Sequence, residues 1–132
     1  MIRVLFPGLL QFADLALLLL RLMVAVVFFS SGLSHVREPV ARGKSIGMSP
    51  GFTRVVGLAE LAGALGVALG VLVQPAALGL TLIMLGAIQK KIVVWQTGFW
   101  GEGSSGWHYD LLFVVANLVI ATTGGGRYVL LG

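Results

Sequence analysis

The stretch Val55–Val73 (VVGLAELAGALGVALGVLV) constrains the fold more than any other part of the chain. It is apolar apart from one charged side chain, Glu60. As a helix it would be about 28 Å long, close to the roughly 30 Å hydrocarbon core of a bilayer. Ala62, Gly66 and Gly70 recur four residues apart, a spacing that lets a second helix approach closely within lipid. We therefore predict a membrane-spanning helix whose carboxylate faces other helices, because a carboxylate exposed to lipid is costly.

The composition of the whole chain argues against an ordinary soluble domain. Of its 132 residues, 58% are hydrophobic and 11% are charged. Soluble domains contain about 25% charged residues. A helix of roughly 20 residues crosses a bilayer, and four such segments fit into this chain with few residues remaining. We therefore expect one integral membrane domain over residues 1–132 and no soluble domain.

Four segments are predicted to cross the membrane, giving an all-α, polytopic, antiparallel four-helix bundle. Residues 1–13 are short and contain Pro7, so we interpret them as a lead-in at the interface. Gln74 and Pro75 leave room only for a tight turn, with Pro75 at the first helical position of the next span. The apolar part of that span ends at Ile88, too early to cross, so the span must continue through polar residues. The predicted spans are residues 14–36, 55–73, 75–95 and 107–123.

The distribution of basic residues predicts the orientation of the bundle. An even number of spans places both termini on one side and the loops around residues 37–54 and 98–106 on the other, which we call the long-loop side. The termini side carries Arg3 and Arg127. Because cytoplasmic loops are enriched in Lys and Arg, we expect cytoplasmic long loops and external termini. The basic residues of the long-loop side are Arg37, Arg42, Lys44, Arg54, Lys90 and Lys91.

Several polar side chains of the predicted spans are expected at a similar depth. With a rise of 1.5 Å per residue, Glu60 and Gln89 lie about 9 Å below the long-loop surface and Asp110 lies about 5 Å below it. His35 lies in the last turn of the first span, at a comparable depth. We interpret this layer, together with deeper polar residues, as a candidate intramembrane polar site. Its candidate residues are Arg21, Glu60, Gln89, Lys90, His108, Asp110 and Asn117.

Arg21 and Asn117 are predicted to lie near the middle of the membrane, where they could hydrogen-bond each other. Arg21 also follows Asp14 by seven residues, so the two share a face of the first span. Two alternatives therefore stay open for Arg21. It points into the bundle, or it extends to the near interface and meets Asp14.

A purely structural role for these polar residues has the same weight as a functional one, because intramembrane polar pairs can hold helices together. The chain has no cysteine, which excludes thiol redox chemistry and thiolate metal sites, so a redox role would take its electrons from a cofactor or a partner. His35 and His108 have no accompanying ligands, and no haem or metal site is predicted. The basic residues form no stripe typical of nucleic-acid binding.

Three stretches of sequence together carry a family resemblance. They are LLLLRLMVAVVFFSSGLSHV with Arg21, GLAELAGALGVALGVLVQPAALGL with Glu60, and WHYDLLFVVANLVIATTGGGR with its glycine-rich end. In this combination they resemble the DoxX family of small bacterial four-helix membrane proteins, over residues 14–127. The resemblance implies that Arg21, Glu60 and the segment 108–110 are the positions of interest. His108 departs from the acidic residue expected in many relatives.

The resemblance also implies a place in redox chemistry. The family name derives from subunits of a terminal quinol oxidase and of a thiosulfate:quinone oxidoreductase, and other members are linked to oxidative-stress assemblies. It therefore implies a quinone-linked subunit of the bacterial cytoplasmic (inner) membrane, with a protein partner or a second copy of itself. Two alternatives stay open. One is a non-catalytic anchoring or assembly subunit. The other is a small-solute transporter, against which the lack of an inverted repeat argues.

Overall fold

A computed structural model describes residues 4–94, 96, 98–100 and 106–130, the side chains of residues 45, 46 and 94 excepted, and this part of the chain is mostly helical. The helices are α1 (Ala13–Arg37), which a 3₁₀ turn (Pro7–Phe12) precedes, α2 (Pro39–Ile46), α3 (Pro50–Leu69), α4 (Val73–Gln89), which a π-helical turn (Lys90–Val94) continues, and α5 (His108–Thr123).

Three helical stretches are long and apolar enough to cross a membrane, namely Pro7–Arg37, Pro50–Leu69 and Val73–Val93. The fourth, α5, is also apolar but has 16 residues, which make a helix about 24 Å long. The predicted all-α membrane bundle is confirmed. The predicted loop after the first span contains a short helix, α2.

The connection between α3 and α4 is a turn with left-handed backbone conformations. Gly70 caps α3 with φ 76° and ψ 36°, and Leu72 precedes α4 with φ 49°. Pro75 does not occupy the first helical position that was predicted for it, because α4 begins at Val73 and Pro75 is its third residue. Proline fits there because the N–H groups of the first turn have no acceptor within the helix.

The long helices pack as antiparallel neighbours in the order α1, α3, α4, α5. Between α1 and α5, the rings of Phe28 and Phe113 meet edge to face with centroids 5.7 Å apart. Many large apolar side chains point outward, as expected for helices surrounded by lipid. The buried apolar core consists of Val24, Ala25, Phe28, Ala64, Val67, Val73, Ala77, Leu80, Phe113, Ile120 and Ala121.

Glycine residues set the closest helix contacts of α3. A Cβ atom on Gly32 of α1 would lie 2.7 Å from the carbonyl oxygen of Gly57 on α3, so the two backbones touch at this crossing. On the side of α4, a Cβ atom on Gly63 would lie 2.8 Å from Leu80 Cδ2. Small residues therefore let α3 approach two neighbours closely, as in other membrane bundles. Ala62, by contrast, is exposed.

Candidate functional site

His35 and Glu60 form a buried pair between α1 and α3. His35 Nδ1 lies 2.9 Å from Glu60 Oε1, and the side chains are only 8% and 2% exposed. The contact depends on the crossing of Gly32 and Gly57, which lie three residues before His35 and Glu60 along their helices. Within the described part of the chain, no other group donates a hydrogen bond to Glu60 Oε1, so the contact with His35 is its only polar contact there.

Ser31 also approaches this pair, with its Oγ 3.5 Å from His35 Nδ1. Ser31 and Glu60 thus contact the same ring nitrogen. In a Ser–His–carboxylate triad the hydroxyl and the carboxylate contact opposite nitrogens. The arrangement is therefore not that of an activated serine nucleophile. It is one in which a proton can be held between an imidazole and a carboxylate.

Lys91 and Asp110 form a second pair, between the end of α4 and the first turn of α5. Lys91 Nζ lies 2.8 Å from Asp110 Oδ2, with side chains 16% and 6% exposed. Apart from this contact, no described residue donates a hydrogen bond to Asp110 Oδ2. The carboxylate also lies near the N-terminus of α5, where the helix dipole favours negative charge.

Lys91 was absent from the residues predicted for the site, because the sequence alone does not show which face of α4 points inward. It follows Met84 by seven residues, and Met84 packs against the core. Residues seven apart lie on one face of a helix. Lys91 therefore continues the inward face of α4.

Five of the predicted site residues lie outside the two buried pairs, and three of these five belong to the long-loop side. Gln89 is exposed at the end of α4. Lys90 Nζ donates a hydrogen bond to the carbonyl oxygen of Gly47, just beyond α2, at 3.3 Å. His108 Nδ1 donates to the carbonyl oxygen of Phe99 at 2.8 Å. Lys90 thus links the loop after α2 to the end of α4, and His108 links the loop that contains Phe99 to the start of α5.

Arg21 is fully buried at the opposite end of the bundle. Its guanidinium donates to four main-chain carbonyl oxygens: Nε to Val67 at 2.8 Å, Nη1 to Tyr128 at 2.6 Å and Gly125 at 3.3 Å, and Nη2 to Ala68 at 3.2 Å. Two of these carbonyls belong to the last turn of α3 and two to the segment after α5. The carbonyls in the last turn of a helix such as α3 lack partners within the helix and lie at its negative end. Arg21 therefore links the end of α3 to the segment after α5 through hydrogen bonds.

The hydrogen bond that could have joined Arg21 to Asn117 is not formed, and the guanidinium donates four hydrogen bonds to carbonyl oxygens instead. Asp14 does not meet Arg21 either. It pairs with Arg127, whose Nε lies 3.4 Å from Asp14 Oδ2 and whose backbone N–H donates to Asp14 Oδ1 at 3.0 Å. Asn117 Nδ2 donates to the carbonyl oxygen of Phe113 at 2.8 Å, and no residue that the structure describes donates a hydrogen bond to the buried Asn117 Oδ1.

The predicted site residues therefore separate into two regions. At the long-loop end, Glu60 and Asp110 are buried carboxylates, and each faces a nitrogen base, His35 or Lys91. At the termini end, Arg21 stabilises helix ends. Among the described residues that were predicted for the site, the carboxylates, which can exchange a proton with a ligand, lie in the long-loop region.

Buried ionisable pairs inside an apolar helical bundle define the chain as a multi-pass α-helical membrane protein. The model of the DoxX family matches residues 16–95, which cover most of α1 and all of α2, α3 and α4. This is more than half of the chain, and the protein belongs to the DoxX family. The matched part contains Arg21, His35, Glu60 and Lys91, whereas Asp110 lies beyond it. No curated protein and no solved structure matches the chain.

Proposed function

We propose that this protein is a redox-associated subunit of the bacterial inner membrane that binds a quinone at the long-loop end of its bundle. One observation carries the proposal. Glu60 is a buried carboxylate whose Oε1 lies 2.9 Å from His35 Nδ1, and the described residues give this oxygen no hydrogen bond beyond that contact. A buried, incompletely satisfied carboxylate next to an imidazole is costly for a fold, and such groups mark functional sites in membrane helices. Family membership supports the redox association.

The side chains at this end fit what a quinone head requires. Its carbonyl oxygens need hydrogen-bond donors, which His35 and Lys91 can provide. The protonation of a reduced quinone needs an adjacent proton donor, and the buried carboxyl groups of Glu60 and Asp110 could relay the proton. A bound quinone would supply the electron-accepting and proton-accepting chemistry. The apolar surfaces of the helices suit its hydrocarbon ring and tail.

The roles of the residues follow from their contacts. Glu60 and His35 would hold a proton and move it between carboxylate and imidazole. Lys91 would keep Asp110 oriented and offset its charge. Electrons would come from a protein partner, because the chain has no cysteine for thiol chemistry. We propose that the long loops, with their basic residues, face the cytoplasm.

The competing proposal is an anchoring or assembly subunit in which the polar residues serve packing alone. Arg21 favours it, since all four of its hydrogen bonds go to the protein's own backbone. In this case the partner is a protein of the same complex or a second copy of the chain. Transport of a small solute fits less well, because α1, α3 and α4 are unbroken apolar helices.

The test is organic extraction of detergent-purified protein, with mass spectrometry of the extracted small molecules. The proposal expects a near-stoichiometric quinone in the wild type and its loss in Glu60→Gln, a change that keeps size and removes the acid. Asp14→Asn is the matched control, because Asp14 is a carboxylate at the other end of the bundle. Lipid without quinone in the wild type, or full quinone retention in a folded Glu60→Gln protein, would reject the proposal and favour the anchoring subunit.

A further inference from the structure

The outer face of α1 carries a polar surface near the long-loop end. A shallow cavity of about 260 Å³ lies there, lined by Ser30, Leu33, Ser34, Arg37 and Glu38. The buried face of α1 contains Arg21, Phe28 and His35. With 100° per residue, Ser30 and Arg37 lie on the opposite side of the helix, which faces lipid. We call the five lining residues the outer α1 cavity.

The hydroxyls of the outer α1 cavity differ from other hydroxyls of the bundle. Thr81, Thr122 and Thr123 each donate to a carbonyl oxygen of their own helix. Within the described part of the chain, Ser30 and Ser34 form no such bond through their hydroxyls. A hydroxyl in an apolar medium is costly without a partner. These two serines are thus available to an acceptor that lies outside the protein.

The charges of the cavity are of opposite sign and adjacent. Arg37 and Glu38 are both exposed, and neither forms an ion pair with another described residue. Arg37 presents a guanidinium that can bind a phosphate through two parallel hydrogen bonds. Glu38 presents a carboxylate that suits a primary ammonium group. Ser30 lies about 10 Å deeper than Arg37, at the level where the headgroup region gives way to hydrocarbon.

We propose that the outer α1 cavity binds a phospholipid whose headgroup carries both a phosphodiester and a primary ammonium, as phosphatidylethanolamine does. Arg37 binds the phosphate and Glu38 the ammonium. Ser30 and Ser34 donate to ester oxygens below them, and Leu33 contacts the acyl chain. This site is separate from the His35–Glu60 pair, which lies on the inner face of the same helix.

Native mass spectrometry of the detergent-purified protein tests the proposal. The probes are phosphatidylethanolamine, phosphatidylglycerol and phosphatidylcholine with the same acyl chains. We expect the wild type to retain phosphatidylethanolamine over the other two by about tenfold, because they lack an ammonium group that can donate hydrogen bonds. Arg37→Gln should lower the retention of all three lipids by about tenfold. Glu38→Gln should abolish only the preference for phosphatidylethanolamine.

Arg54→Gln is the matched control, since Arg54 is an exposed basic residue of the same end, on α3. It should leave lipid retention unchanged. Ser34→Ala serves if Arg37→Gln does not fold, and it should lower retention about threefold. A wild type without headgroup preference would overturn the proposal. Unchanged lipid retention in folded Arg37→Gln and Ser34→Ala proteins would also overturn it. A wild-type dimer that the Arg37→Gln substitution dissociates would overturn it too, because this face of α1 would then bind a second copy of the chain.

Discussion

Gly32 of α1 and Gly57 of α3 contact each other reciprocally. A Cβ atom on Gly32 would lie 2.7 Å from the carbonyl oxygen of Gly57, and one on Gly57 would lie 2.8 Å from that of Gly32. A Cβ atom on Gly57 would also lie 2.8 Å from His35 Cβ. The two glycines thus set the distance between α1 and α3, and with it the distance between His35 and Glu60.

Gly57→Ala is expected to destabilise the protein by about 1–3 kcal/mol, because the added methyl group must displace backbone rather than a flexible side chain. The measurement is thermal unfolding in detergent, followed by circular dichroism. Gly86→Ala on α4 is the control, since nothing lies within 4 Å of a Cβ atom at that position. It should be neutral or stabilising by up to about 1 kcal/mol. Equal effects of the two substitutions would contradict the close crossing.

Arg21→Lys is expected to destabilise the protein by about 2–4 kcal/mol. The lysine ammonium group cannot donate to four carbonyl oxygens as the planar guanidinium does. The carbonyl oxygens that lose their hydrogen bond remain buried. The free energy of unfolding in a denaturing detergent titration measures this. Arg127→Lys changes an exposed arginine at the same end and should remain within about 0.5 kcal/mol of the wild type. A silent Arg21→Lys would show that one or two of the bonds suffice.

Asp110→Asn is expected to destabilise the protein by about 2–4 kcal/mol, because it leaves the Lys91 ammonium largely buried without a carboxylate. Lys91→Met combined with Asp110→Asn should cost less than the sum of the two single substitutions. We expect a coupling energy of about 0.5–3 kcal/mol from the double-mutant cycle. Additive effects would mean that the two charges do not interact.

Gly70→Ala is expected to cost more than Gly124→Ala, although both glycines have left-handed backbone, with φ 76° and 73°. At Gly124 nothing lies within 4 Å of an added Cβ atom, so only the conformational strain of about 1 kcal/mol applies. At Gly70 the atom would also lie 2.5 Å from Val129 Cα, so the chain after α5 must shift. Thermal unfolding of both variants separates the two contributions, and equal losses would contradict this packing.

The class of fold and the approximate helix positions follow from the sequence, because hydropathy and helix length depend only on local composition. The structure begins α3 at Pro50, five residues before the predicted span. That start is determined by a local cap, in which the Ser49 side chain accepts a hydrogen bond from the N–H of Phe52. Hydropathy does not report such a cap, since it concerns polar residues beyond the apolar run.

The heights of Glu60 and Asp110 along their helices follow from the sequence, since the rise of a helix converts sequence position into height. Their partners do not. Lys90 and Lys91 are adjacent in sequence, yet Lys91 reaches Asp110 whereas Lys90 reaches the carbonyl oxygen of Gly47. The side chains of adjacent helical residues point in directions about 100° apart. To predict which lysine reaches Asp110, one must therefore know how α4 is rotated about its own axis.

By itself, the sequence determined that the chain forms an all-α membrane bundle with buried charges and that it belongs to the DoxX family. Only the tertiary structure decided that Arg21 binds carbonyl oxygens rather than Asn117, and that His35 is the partner of Glu60. The physical reason is that height along a helix is a local property. The partner of a buried charge, in contrast, depends on how closely and at what rotation two helices cross, and here Gly32 and Gly57 set that crossing.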